Sequence, residues 1–510
     1  HLKPPRMIVN ELRAAAVVVR RSPIAPLIRR IRHRSPLRRA ARLGRSVGWD
    51  VAAEKLLSPA GAALIGDPAF HEPLRTQINE VIDIELLLTA LRRRLLSRDT
   101  STPWPDEHLE LLASLIQQCI NNEWVWYAAP EEQELVAHGM DAPGEAPTTI
   151  DAAPDPLALA RLAMYRRPER VFASAAAREA LRALSPVVRA PLERYLDARA
   201  AEDELKASIR VLGEPTSEVS DMIAENYEEY PYPRWLQWHV PDAGSRLEKM
   251  ADFFSPEELR RLEGDFDVLF AGCGTGAKAI TYSIGYGPRA RPLAIDLSRA
   301  SLAYAKRMAK EHAVENLDFG RMDLLALPKL GRSFDIVECS GVLHHLADPL
   351  EGLRALASVL EPGGFAHISL YSELSRRELV RLRQTELHRS TPDTRDGIRA
   401  FRWKLMHDDP ESIDRRLPLR ADFFDLNRCR DLLFHPVEHR YSVRQVGELV
   451  RAAGLEFRGF EAPPPPRHEA RLRYPKPEER ASLERWQEFD ERHPMAFENL
   501  YEIWAWKPPA

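Results

Sequence analysis

Cysteine is scarce: the 510-residue chain has four (Cys119, Cys273, Cys339 and Cys429), scattered and with no C-x-x-C pair. That spacing indicates neither a disulfide framework nor a zinc knuckle. It suits a reducing compartment, so a cytoplasmic location is expected. No apolar run approaches the roughly 20 residues that a bilayer-spanning helix needs, and no membrane span is expected. Charge of one sign is also missing overall. The net value of −4 exerts no general pull toward nucleic acid, which is not an expected partner. Hydrophobic and charged contents of 44% and 29% are those of an ordinary soluble protein. The length leaves room for two or three domains.

Against 24 glycines in the whole chain, three fall within five positions, in FDVLFAGCGTG over 266–276. A short apolar strand (Phe266–Phe270) runs into a turn with glycine at 272, 274 and 276. Such glycines permit a tight turn and close approach of a ligand, and the helix start that follows offers free N–H groups. GCGTGA also satisfies the looser dinucleotide pattern, so this loop does not separate NAD from S-adenosylmethionine. A second strand, RPLAIDLS, ends on Asp296, twenty residues after Gly276. An acid there bonds ribose hydroxyls in doubly wound folds. A helix from Ser298 to His312 follows. Then come a third strand with Asp323 at its end (LDFGRMDLLALP), a fourth (FDIVECSGVLHHLADP), a helix from Asp348 to Leu360, and a fifth strand (FAHISLYS) reached through EPGG.

This succession resembles the class I S-adenosylmethionine-dependent methyltransferases, with VLHHLADP after strand four and PGG before strand five as further points of likeness. The resemblance implies an α/β fold: a Rossmann-like seven-stranded sheet of order 3-2-1-4-5-7-6, its seventh strand antiparallel. An all-α region precedes the sheet, and a helical insertion follows strand five. It implies S-adenosylmethionine as cofactor and S-adenosylhomocysteine as product. Gly272, Cys273, Gly274 and Gly276 would hold the donor's amino-acid and ribose end, and Asp296 with Leu297 the ribose. Asp323 and Leu324 would face the adenine, and Cys339 and Ser340 would lie beneath the methyl group.

Residues 1–45 form a basic extension with thirteen Lys and Arg against one acid, Glu11. Pro23, Pro26 and Pro36 interrupt any long helix there. Residues 46–215 read as a helical domain. LRTQINEVIDIELLLTALRRRLL carries helical spacing for about six turns. DEHLELLASLIQQCINNEWVWYAA reads as a second long helix, and 157–212 as alanine-rich helix broken at Pro168 and near Pro186. VIDIELLLTALRRRLL and INNEWVW resemble the helical half of a group of bacterial methyltransferases, some with tetratricopeptide repeats. No repeat with consistent markers is present here. Trp124, Trp126 and Tyr127 are expected to be packing residues. The apolar helix surplus makes a homodimer through this half an expectation.

Residues 216–372 are expected to be the donor-binding core with an aromatic lid. The lid is MIAENYEEYPYPRW (222–235), a stiff hook in which Pro231 and Pro233 end a helix. Arg234 would pair with the donor carboxylate, Trp235 and its neighbours would face the sulfonium, and the alternative is that the aromatics pin the helical half to the sheet. Residues 373–440 read as a helical insertion on the substrate side, and 441–510 as completion of the sheet. LFHPVEHRYS (433–442) has H-x-x-E-H spacing. Pro436 denies it the continuous helix of a metal motif, so no metal is expected. Candidate groups for the acceptor's proton are Tyr227, Tyr230, His344, His435 and His439, with His345 the alternative to His344. The leading expectation is methylation of a protein side-chain nitrogen such as lysine, because the overall plan resembles the rickettsial outer-membrane-protein lysine methyltransferases. The alternatives are a quinone or natural-product methyltransferase and an inactive helical scaffold.

Overall fold

The computed structural model describes residues 35–138, 154–407 and 421–509, apart from scattered positions between 214 and 239, between 464 and 476, and at 495, 498 and 499. Most of the basic extension lies outside the described residues. The chain forms two compact units, residues 1–198 with 384–434, and residues 199–383 with 435–510.

The first unit is helical. The single helix expected from Leu74 to Leu96 is two, Pro68–Thr76 and Ile82–Leu96. The amide of Gln118 explains the break: it donates to the carbonyls of Leu74 and Gln77, while its oxygen accepts the Asn79 N–H at 2.6 Å. The backbone groups freed by the break are thereby satisfied. The next helix stops at Asn121 rather than running on through INNEWVW. Glu123 and Trp124 adopt left-handed backbone angles, φ 55° and 56°. The Trp124 indole then donates to the Ala163 carbonyl at 2.9 Å, and Tyr127 stacks on Trp403. These aromatics pack, as expected. Residues 384–434, expected as part of a substrate-side insertion over 373–440, cluster instead with the N-terminal helices. Arg402, fully buried, makes a two-pronged ion pair with Glu85 at 2.9 and 3.0 Å and donates to the carbonyls of Phe423 and Val125. A guanidinium fork matched to one carboxylate is the geometry that makes such burial tolerable.

The second unit is built on one sheet. Its strands are β1 (Arg210–Val211), β2 (Phe266–Ala271), β3 (Ala290–Asp296), β4 (Asp318–Arg321), β5 (Phe334–Cys339), β6 (Leu360–Ser372), β7 (Arg440–Tyr441), β8 (Glu456–Phe460) and β9 (Leu500–Trp506). Their order is β1-β4-β3-β2-β5-β6-β9-β8, with β7 beside β6; β9 runs antiparallel to both its neighbours and the other pairings are parallel. Removing the two-residue strands β1 and β7 leaves the 3-2-1-4-5-7-6 arrangement. The central strands read as near-continuous apolar runs because both faces are covered. One face packs against helices Pro349–Ser358, Val443–Ala452 and Leu483–Arg492, around Val337, Ile368 and Trp486. The other packs against Ala277–Tyr286 and Arg299–Glu311, around Phe270, Ile280 and Phe365. Two details differ from expectation. The end of the alanine-rich stretch is the edge strand β1, and β6 begins at Leu360, taking in the EPGG segment with Gly363 at φ 75°.

Candidate active site

Strand β2 has β3 on one side and β5 on the other, so the crossovers leave it in opposite directions. The crevice beyond its carboxyl end is where doubly wound sheets bind ligands. A cavity of about 290 Å³ lies there. Its walls come from the loop after β2, the ends of β3, β4 and β5, and the hook segment.

The glycine loop has the shape its composition demands. Gly272, Gly274 and Gly276 have φ of 66°, 53° and 82°. A Cβ would lie 2.3 Å from a Val342 methyl at the first, 2.7 Å from the Tyr232 carbonyl oxygen at the second, and 2.7 Å from the Ala305 methyl at the third. Conformation and space therefore both require glycine. Gly272, Cys273 and Gly274 line the cavity, whereas Gly276 sits behind it as the left-handed N-cap of the helix Ala277–Tyr286.

Asp296 closes this loop against the next strand. One carboxylate oxygen accepts the Gly274 N–H at 2.8 Å and the other the Ser298 N–H at 2.9 Å. Burial raises its carboxyl above the ordinary range, opposed by those two N–H groups. A carboxylate offers about four lone-pair positions, so two stay available for a pair of hydroxyls. Asp323 is more fully engaged. It caps the short helix after β4 through the Leu325 N–H, and its second oxygen accepts both the N–H and the hydroxyl of Thr216, at 2.9 and 2.6 Å. Leu297, Leu324 and Ser340 line the cavity beside these acids, while Cys339 is buried behind it.

The hook is fastened at several points. Glu228 accepts the N–H groups of Arg299 and Ala300 at the start of the helix Arg299–Glu311, where the helix dipole favours a negative charge. Tyr227 and Tyr232 line the cavity with ring centroids 6.5 Å apart. Tyr230 lies outside the described residues. Arg234 and Trp235 are not among the described lining residues. Arg234 instead pairs with buried Glu202 at 3.7 Å and lies over the Tyr304 ring. Trp235, 6% exposed, donates its indole N–H to the Thr275 carbonyl at 3.0 Å, stacks on His312 and accepts the Tyr304 hydroxyl on its own carbonyl. It braces the underside of the glycine loop. Trp235→Phe should therefore cost about 1–3 kcal/mol, the price of a buried carbonyl losing its donor, read as a lowered unfolding midpoint in denaturant.

The histidines separate in depth. His345 lines the cavity; its Nδ1 faces the Val437 carbonyl at 2.8 Å and its Nε2 the Tyr371 hydroxyl at 3.4 Å. Burial lowers its pKa to about 4. His344 is fully buried against the Tyr371 ring and does not line the cavity. His435 lies behind His345, with ring centroids 3.6 Å apart and Nδ1 on the Val437 carbonyl. His439 gives its backbone N–H to the His344 carbonyl. Glu438, the acid of H-x-x-E-H, belongs to an arginine cluster with Arg376 (2.6 Å), Arg383 (2.9 Å) and Arg440 (3.2 Å).

Among the lining residues not read from the sequence are Lys278, Tyr282 and Glu338. The first two lie on the helix after the loop, at i and i+4, and face the cleft together. Glu338 belongs to a buried charge network. It takes Arg246 at 3.0 Å and His367 at 2.6 Å, Arg246 also reaches Glu461 at 2.7 Å, and Lys278 pairs with Glu502 at 2.6 Å.

Residues 268–364 match a methyltransferase-domain family. An uncharacterised protein of Synechococcus is 31% identical over 264 residues, 48% of this chain and 60% of its own length. Demethylmenaquinone methyltransferase of Lactococcus lactis is 33% identical over 119 residues, 23% of this chain and 47% of its own length. The chain thus spans about half of these two relatives. Among solved structures it is similar to PKMT2 from Rickettsia typhi in complex with AdoHcy, at 16% identity and a TM-score of 0.36 over 52% of this chain and 54% of that one.

Proposed function

We propose that this protein, whose residues 268–364 match a methyltransferase-domain family, transfers a methyl group from S-adenosylmethionine to a small-molecule acceptor. The donor half rests on one observation: a loop whose three glycines have no room for a Cβ is tied by Asp296 to the neighbouring strand end. The residues fit the donor. Asp296 keeps lone pairs for the ribose hydroxyls, Asp323 keeps one for the adenine amine, and Tyr227 and Tyr232 offer aromatic faces to a cation. When bound, S-adenosylmethionine supplies an electrophilic methyl on a sulfonium. The chain's own work is then alignment of the acceptor lone pair opposite the sulfur, together with exclusion of water. If the acceptor carries a proton, His345 is placed to take it. With Nδ1–H on the Val437 carbonyl, Nε2 is the accepting side of the ring and faces the Tyr371 hydroxyl at 3.4 Å, which the acceptor's proton would have to displace. The lowered pKa leaves the ring neutral near pH 7.

For the acceptor, the walls favour the small-molecule reading over the lysine expected from sequence. Phe270, Tyr282, Val342, Leu346 and Leu500 line the cavity. The likeness to demethylmenaquinone methyltransferase points the same way. The test is incubation of protein and cell extract with methyl-labelled donor, followed by separation of protein, RNA and organic-extractable fractions. Label in the organic fraction is the expected result. Label in protein would restore the lysine reading, and no incorporation would favour a scaffold.

A further inference from the structure

The structure assigns to Lys278 the part that the sequence suggests for Arg234: we propose that its ammonium binds the carboxylate at the amino-acid end of the methyl donor. This rests on the donor reading above and names a residue that reading leaves open.

The order of the strands sets the direction of the ligand. Asp323 follows β4, Asp296 follows β3, and β2 and β5 come next. A nucleoside with its adenine at Asp323 and its ribose at Asp296 must therefore extend its amino-acid chain past the glycine loop toward the end of β5. Ser340 follows β5, and Lys278 lies in the first turn of the helix that begins after Gly276; the two side chains meet, Nζ to Oγ, at 2.5 Å. Lys278 is the sole lysine or arginine among the described residues lining the cavity.

Its chemistry suits an anion. Nζ gives one hydrogen to Glu502 at 2.6 Å and one to Ser340, and an ammonium has a third. The side chain keeps 43% of its surface accessible although it sits among buried groups. Burial works to lower its pKa, but Glu502 and Tyr282 outweigh that and hold it above the ordinary lysine range, so the charge persists. Arg234 has the opposite situation: its guanidinium is engaged by Glu202 and Tyr304, away from the cavity walls.

Two probes separate the amino-acid end from the rest of the donor. S-adenosylhomocysteine carries the carboxylate, whereas 5′-methylthioadenosine keeps the nucleoside and thioether but lacks the amino-acid group. Calorimetry on the full chain should show that Lys278→Met weakens S-adenosylhomocysteine binding by about tenfold or more, the loss typical of one charge-assisted hydrogen bond. Methylthioadenosine should bind this variant as it binds the parent, which also shows the cleft to be folded. Arg234→Met should leave the ratio of the two affinities unchanged, and Lys278→Arg should recover most of the preference. Equal loss of both ligands in Lys278→Met, an unchanged preference, or selective loss in Arg234→Met would each overturn the assignment. If the parent protein binds neither compound, the donor reading fails first, and the two failures are thereby distinguished.

Discussion

Asp296→Ala is expected to lower affinity for S-adenosylhomocysteine by at least about a hundredfold, with the fold retained. Two effects combine. The carboxylate would lose its bonds to the ribose, each charge-assisted contact contributing about 1.5–3 kcal/mol. It would also release the Gly274 and Ser298 N–H groups that it now holds at 2.8 and 2.9 Å, so the loop loses its tie to the end of β3. Asp296→Asn keeps one carbonyl acceptor and should fall between the parent and the alanine variant. Calorimetric titration of the three proteins, with circular dichroism to verify folding, tests the order. Equal affinity in all three would mean that the sugar does not lie at the end of β3.

The largest effect on stability should come from Glu338→Ala, about 3–5 kcal/mol, the range for removing one partner from a buried ion pair. Arg246, 2% exposed, would keep Glu461 but lose Glu338, and His367 and the Tyr286 hydroxyl would lose the acceptor they share. The loss should appear as a lower denaturant midpoint. The pH dependence follows from the same geometry. Burial alone would raise the Glu338 carboxyl, but Arg246 and His367 outweigh it and hold the pKa at about 2, against 4.5 in the unfolded chain. Between those values the unfolded state binds more protons than the folded one, so stability rises with pH through that window. The contribution is complete above about pH 4.5 and is lost as pH falls toward 2. Glu338→Gln, which does not titrate, should show a shallower acid-side decline. An identical acid profile in parent and variant would show that the network is not what acid dismantles.

Within the two units, the parts that could be read in advance are those specified by neighbouring residues. The strand end at Asp296 and the turn glycines at 272, 274 and 276, all left-handed, follow from a few adjacent side chains. The stretch from 74 to 96 is not the single helix its spacing predicts, because the break is made by Gln118, about forty residues away. The hook was legible as a stiff aromatic segment. Proline and aromatic content, however, does not reveal that Trp235 turns inward to the Thr275 carbonyl while Tyr232 reaches the cavity.

By itself the sequence marked out the successive strands and the ligand loop after β2, since apolar runs, turn glycines and the acids Asp296 and Asp323 are local signals. The strand order came only as what the resemblance to class I methyltransferases implies. Only the tertiary structure decided which charges meet. Lys278 finds Glu502 across 224 residues and Glu85 finds Arg402 across 317. Coulomb attraction in a buried site depends on distance in space and on the surrounding dielectric, and neither is written in the spacing of residues along the chain.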